Sequence, residues 1–202
     1  MSYPCVDEDD FLVQGDGSFG PQHYMQWRHV ATNSAASIQN TYDVNGGNQA
    51  ADLLQLQVSW TNSSPISMNV YGLLTRGGSV ITNQPRNRAY IETYIGAAQG
   101  AAPADPTAST LIGRFGNGAD FGTVDSNTKT VFSNLQTRQA ERTMLAGDTI
   151  VLPAGHVYKL RVRLRWDAEF WETLPVYLGD TESELSIITG ATRLDLYAYP
   201  QL

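Results

Sequence analysis

The chain has almost no cysteine and no long apolar run. Cys5 is the only cysteine among 202 residues, which excludes an internal disulfide and a zinc site built from several thiolates of one chain. No apolar stretch approaches the roughly 18 residues of a membrane-spanning helix. Residues 1–10 lack the apolar core of a secretory signal peptide. We therefore expect synthesis in a cytoplasm and no insertion into a membrane.

Positive charge is also scarce. Lys and Arg total 13 against 20 Asp and Glu, which gives a net charge of −7 and a pI of about 4.8. Naked nucleic acid and anionic membrane surfaces both attract proteins with a positive field. The composition therefore predicts no nucleic-acid partner.

Motifs for catalysis, cofactors and metals are missing. Gly15, Gly17 and Gly20 match G-x-G-x-x-G, but no βαβ pattern surrounds them, so we interpret them as a turn. The three histidines lack metal-ligand spacing, and no G-x-S-x-G motif occurs. The contiguous acids of residues 7–10 favour a solvated tail, because calcium loops stagger their ligands around a turn. The sequence predicts a non-enzymatic protein without cofactor or metal.

The clearest positive signal is alternation with period two. Residues 53–60 (LLQLQVSW) place four apolar side chains on one face: Leu54, Leu56, Val58 and Trp60. The same criterion predicts strands near 67–75, 79–82, 88–95, 149–152, 157–166, 184–188 and 193–199. A turn at Gly77 and Gly78 is predicted to precede the strand 79–82. We expect the strands 53–60 and 67–75 to pair with each other. Residues 135–145 are the one predicted helix.

About eight short strands separated by turn residues predict the fold class. We expect an all-β protein, an antiparallel β-sandwich of jelly-roll type, forming a single domain over residues 1–202. Residues 1–20 are predicted to be an extended N-terminal arm. The Gly/Ala/Pro-rich stretch 96–123 is predicted to be a long loop or arm.

The predicted strand 157–166 carries a line of positive charge on its polar face: Lys159, Arg161, Arg163 and Arg165. Like charges side by side repel one another. Asp195 and Glu184 on neighbouring strands would neutralise them in one interpretation. In the other, the line of charge binds an acidic surface of a partner subunit.

Aromatic and acidic residues cluster directly after this strand, in the sequence WDAEFWE at 166–172. Carboxylates beside aromatic rings suit glycosidases and sugar-binding sites. They also occur in ordinary loops whose tryptophans fill the edge of a sandwich, which is the interpretation we favour. Trp166 and Trp171 join the basic residues as a candidate interaction surface. A sugar site would add Phe170 and Tyr177, and a hydrolase would need Glu169.

The central segment 53–91 combines a strand ending in S-W-x-N, an S-P-I turn, an R-G pair and an N-x-P step. The residues are Ser59, Trp60, Asn62, Ser64, Pro65, Ile66, Arg76, Gly77, Asn83 and Pro85. This segment resembles a region of minor tail proteins from tailed phages of actinobacteria. Residues 152–166 and 194–200 resemble later strands of the same proteins.

The resemblance implies a structural virion protein at the phage tail or tail tip. It also implies self-association, as a trimer or hexamer around the tail axis, and contacts with other tail proteins. It carries no catalytic residue. The alternatives are a module that binds host-surface carbohydrate and a capsid decoration protein.

Overall fold

The computed structural model describes residues 28–45, 48–83, 87–118, 134–138, 141–170 and 182–201, and these form twelve strands without a helix. The strands are β1 (Arg28–Ala35), β2 (Ile38–Asn45), β3 (Gln49–Thr61), β4 (Met68–Arg76), β5 (Ser79–Asn83), β6 (Asn87–Gly100), β7 (Thr110–Gly118), β8 (Asn134–Arg138), β9 (Glu141–Leu152), β10 (Val157–Phe170), β11 (Glu182–Thr189) and β12 (Thr192–Pro200).

The strands form three antiparallel sheets of four strands each. Sheet 1 has the order β1-β12-β4-β9, sheet 2 the order β3-β10-β6-β7, and sheet 3 the order β2-β11-β5-β8. Residues of all three sheets contribute to one buried apolar cluster. Its most deeply buried members include Leu74, Ile81, Leu152, Leu160, Leu185, Leu194 and Leu196.

Sheets 1 and 3 are two halves of four long, bent strands. Each strand of sheet 1 is separated from a strand of sheet 3 by only two residues, and the two sheets have the same order. At the bend, Gly77 N–H donates to the carbonyl of Ala191, and Gly190 N–H donates to the carbonyl of Gly78, both at 2.8 Å. Strand pairing therefore continues through Gly77 and Gly78, where the sequence had predicted a turn.

Glycine is required at this crossing. A Cβ atom on Gly77 would lie 2.5 Å from Cα of Gly190, and one on Gly190 would lie 2.8 Å from Cα of Gly77. Only residues without a Cβ allow two backbones to approach so closely.

Each bent strand consists of two consecutive elements: β1 with β2, β4 with β5, β8 with β9, and β11 with β12. When each of these pairs is counted as one strand, the described chain has eight strands, which are numbered first to eighth along the sequence. Their order is first-eighth-third-sixth in one sheet and second-seventh-fourth-fifth in the other. This is the arrangement of an eight-stranded jelly roll, and it confirms the predicted all-β sandwich class.

The jelly-roll order corrects one predicted pairing. Except for β6 and β7, strands that are consecutive in this count lie in opposite sheets. The segments 53–60 and 67–75 therefore do not pair with each other. Instead β3 pairs with β10, and β4 pairs with β12 and β9.

The helix predicted at 135–145 is wrong. Residues 135–138 lie in β8 and residues 141–145 lie in β9, and these strands pair with β5 and β4. Its residues favour helix locally, but strand pairing overrides a weak intrinsic propensity.

The predicted long loop is shorter than expected. β6 continues to Gly100 and β7 occupies Thr110–Gly118, so the connection between them covers only 101–109. A Cβ atom on Gly96 would lie 2.0 Å from the carbonyl oxygen of Thr107. Glycine is therefore needed here because the connection packs against β6. Residues 119–123 and the predicted arm 1–20 lie outside the described residues.

Candidate interaction surface

β10 separates apolar from basic residues by strict alternation. Its buried side chains are Tyr158, Leu160, Val162, Leu164 and Trp166, as predicted. The intervening side chains form the basic stripe, defined as Lys159, Arg161, Arg163 and Arg165. They lie on the outer face of sheet 2, because successive side chains of a strand point to opposite faces.

One end of the basic stripe is neutralised by Asp105, from the connection between β6 and β7. Lys159 Nζ donates to Asp105 at 2.7 Å, and Arg161 lies 3.5 Å from the same carboxylate. Gln57 on β3 donates to Asp105 and accepts from Arg161 Nε at 2.7 Å. The hydrogen bond from Lys159, aided by that from Gln57, lowers the pKa of Asp105 below its ordinary value.

The centre of the stripe has weaker partners. Arg163 lies 3.7 Å from the carboxylate of Asp52, beyond hydrogen-bond distance, and its guanidinium lies 4.7 Å from the ring centre of Tyr94. Among the described residues, Nε of Arg163 and Nε of Arg165 are buried without a hydrogen-bond partner. The described residues therefore satisfy only part of the hydrogen-bonding capacity of the Arg163 and Arg165 guanidinium groups.

Glu92 on β6 is a buried carboxylate beside Arg165. It accepts hydrogen bonds from Tyr94 at 2.5 Å and from two nitrogens of Arg114, one of them Nε at 2.8 Å. Burial alone would raise the pKa of Glu92. The hydrogen bonds and the charges of Arg114 and Arg165 outweigh burial, so the pKa lies below its ordinary value. Arg114 therefore bonds one oxygen of Glu92, and Tyr94 bonds the other.

Different acids from those predicted neutralise the stripe. Asp105, Asp52 and Glu92 lie beside it, whereas Asp195 belongs to sheet 1. Asp195 is buried there and bonds Nε2 of His29 and Nε of Arg193, each at 2.8 Å. Glu184 lies on β11 in sheet 3, and its side chain is outside the description.

Trp166 is not part of an exposed surface. Only 3% of this residue is accessible, and its ring lies 4.5 Å from the ring of Tyr42. Alternation had already placed Trp166 on the apolar face, which is incompatible with binding a partner at the surface. Trp171 lies outside the described residues.

A row of aromatic rings, which was not predicted from the sequence, crosses the outer face of sheet 1. His29, Tyr197 and Tyr71 are direct neighbours on β1, β12 and β4, with ring centres 5.3 and 5.2 Å apart. The alternation in 193–199 identified the face of Tyr197. The strand order that brings the three rings together has no signal in the sequence.

The described residues contain no group of three or more His, Cys, Asp or Glu side chains arranged to hold a metal ion. His156 Nδ1 lies 3.2 Å from the carbonyl of Ala154 within the β9–β10 turn, and His23 lies outside the description. Nor do the described residues include a helix long and apolar enough to cross a membrane.

A family model described as "Domain of unknown function (DUF7172)" matches residues 1–202. The chain belongs to the DUF7172 family. No curated protein matches it.

The DUF7172 chain is also similar to solved structures of infectious bursal disease virus. The structure of the Gx strain is 15% identical with a TM-score of 0.22, covering 87% of this chain and 41% of that one. The structure of the Gt strain is 12% identical with a TM-score of 0.22, covering 87% of this chain and 43% of that one. The structure of the VP2 subviral particle is 10% identical with a TM-score of 0.21, covering 85% of this chain and 42% of that one. The DUF7172 chain thus spans about two fifths of those chains. At these TM-scores the likeness carries no argument about function.

Proposed function

We propose that this DUF7172 chain is a non-enzymatic structural virion protein, a minor tail protein that assembles around the tail or tail tip of a phage. The support is the resemblance of residues 53–91, combined with the roles that those residues have in the fold. The weak likeness to virus structures plays no part in the proposal.

Asn62, from the S-W-x-N motif, is the observation that carries the proposal. It is fully buried, and its side chain donates to the carbonyls of Ile66 at 2.8 Å and Leu152 at 2.9 Å. Its side-chain oxygen accepts from both N–H and Oγ of Ser64.

The backbone of Asn62 completes the same junction. Its N–H donates to the carbonyl of His156, and its carbonyl accepts from Gly155 N–H. The motif therefore joins the β3–β4 connection to the β9–β10 turn. These hydrogen bonds give Asn62 a role in holding the fold together. Such a role is expected if the motif that resembles minor tail proteins belongs to a structural protein.

Other copies of this chain, in a trimer or hexamer, and other tail proteins are the proposed partners. Leu111 and Ile112 support subunit contact, because they are 46% and 38% exposed on β7, the edge strand of sheet 2. Exposed apolar residues on a sheet edge favour association with another surface. The proposed location is the virion, after assembly in the host cytoplasm.

No observation among the described residues favours the carbohydrate-binding alternative. Of the aromatic residues predicted for that site, Trp166 is buried in the core, and Trp171 and Tyr177 lie outside the described residues. In the aromatic row of sheet 1, Tyr197 lies between the rings of His29 and Tyr71, so its ring is packed on both sides.

Antibodies against the chain test the tail assignment directly. Particles purified from the phage that encodes this chain should be labelled at the tail or tip in negative-stain images. Protein mass spectrometry of the same particles should detect the chain. Label confined to the head would contradict the tail assignment, and absence from washed particles would contradict a virion role.

A further inference from the structure

β7 has few apolar contacts of its own with the sandwich. Among the described strands it pairs only with β6, and Ile112 forms a bulge that interrupts this pairing. Leu111 and Ile112 are exposed, and Phe115 is the described residue of β7 that packs against the apolar core. An edge strand with so few buried apolar contacts opens more easily than the strands inside the sheets.

Glu92 on β6 lies between two arginines in the strand register. Arg114 of β7 is paired with it on one side, and Arg165 of β10 is paired with it on the other. Its carboxylate is bonded to the edge strand: Nε of Arg114 donates to Oε1 at 2.8 Å, and Nη2 of Arg114 donates to the same oxygen. The hydroxyl of Tyr94 donates to Oε2. Glu92 therefore ties β7 to β6 through its side chain.

Arg165 has an unused donor beside the same carboxylate. Its Nε is buried and has no hydrogen-bond partner among the described residues. Asp167 is the next side chain on this face of β10, so the positive charge of Arg165 has an acidic neighbour. Arg165 is therefore distinguished by a free Nε–H next to Glu92 and not by an excess of charge.

The second arginine lowers the cost of detaching β7. The Glu92 side chain is only 3% exposed, and breaking a buried ion pair is costly when it leaves a charge without a partner. A rotation of the Glu92 side chain along the row would bring its carboxylate to Arg165. Arg114 is 51% exposed, so water can solvate its guanidinium after release. β7 can thus leave without stranding a buried charge on β6.

We propose that β7 is a releasable edge strand, and that Glu92 exchanges Arg114 for Arg165 when β7 opens. Opening exposes the backbone N–H and C=O groups of β6, through which a sheet can accept a further strand. The exchange of arginines makes this a conformational switch with two defined states. It concerns the edge of sheet 2 alone and is independent of the tail assignment.

Amide hydrogen exchange of the full-length protein, followed by NMR, measures the opening of β7. The reference is β4, an inner strand of sheet 1 whose exchange reports opening of the whole fold. In the unmodified protein we expect the hydrogen-bonded amides of β7 to exchange roughly tenfold or more faster than those of β4. The β6 amides bonded to β10 should exchange as slowly as the reference.

Two arginine variants are expected to change this exchange in opposite directions. Arg114→Gln removes the partner of the closed state and should speed exchange in β7 by roughly tenfold. Arg165→Gln removes the partner of the open state and should slow it by about threefold or more. If both arginines only stabilised the sheet, both variants would speed it. Arg193→Gln is the matched control, because it loses an exposed arginine bonded to the buried Asp195 of sheet 1. It should leave the rate in β7 unchanged.

Two results would overturn the proposal. Exchange in β7 as slow as in β4 would show that β7 opens only when the whole fold opens. Exchange in β7 that is unchanged or faster in Arg165→Gln would show that Glu92 does not change partner. The first result comes from the unmodified protein, so it decides even if a variant does not fold.

Discussion

Asn62 shows how a single polar residue can organise a junction between strands. A buried amide with four side-chain hydrogen bonds fixes two chain segments that are distant in sequence. The sequence marked this position through the S-W-x-N motif but did not reveal its partners. Leu152 lies 90 residues away, and only the fold brings its carbonyl within reach.

The first prediction concerns Asn62→Ala. The substitution removes the donor to the buried carbonyl of Leu152, and an unsatisfied buried polar group is costly. We expect the free energy of unfolding to fall by about 2–3 kcal/mol, measured by urea denaturation. Ser63→Ala, at the exposed neighbouring position, is the control and should change it by less than about 0.5 kcal/mol. Equal stability of the two variants would contradict the role of Asn62.

At the scale of elements, alternation predicted strands and their buried faces but not their partners. In β10 and β12 the apolar positions inferred from period two are the buried ones. The pairing of β3 with β10 joins segments about 100 residues apart, and no local pattern encodes it. The roles of Gly77 and Gly96 were predicted wrongly for a related reason. They were assigned to a turn and to a loop, whereas each allows two backbone segments to approach closely inside the fold.

The bend between sheets 1 and 3 should be sensitive to one added carbon. Gly77→Ala places a methyl group against the backbone of Gly190, so the two bent strands must separate. We expect a loss of about 2 kcal/mol or more in unfolding free energy. Gly113→Ala, where an added Cβ meets nothing within 4 Å, should be nearly neutral. Thermal and urea unfolding of both variants measure the difference, and a neutral Gly77→Ala would show that the crossing is not tight.

For the whole molecule, composition and strand spacing were sufficient to predict an all-β sandwich, and the jelly-roll order confirms that class. The basic stripe was identifiable because its residues alternate along one strand. Its neutralising acids were not, since Asp52, Glu92 and Asp105 come from three separate segments of sequence. The proposed structural role implies that the chain associates with other copies of itself.

The proposed self-association is tested most directly by the mass of the purified full-length chain in solution, measured by light scattering over a range of concentrations. We predict a defined species of three or six times the chain mass of 22.1 kDa, visible as a ring or compact trimer in negative-stain images. A stable species of 22.1 kDa at every concentration, without affinity for other tail proteins, would contradict the account.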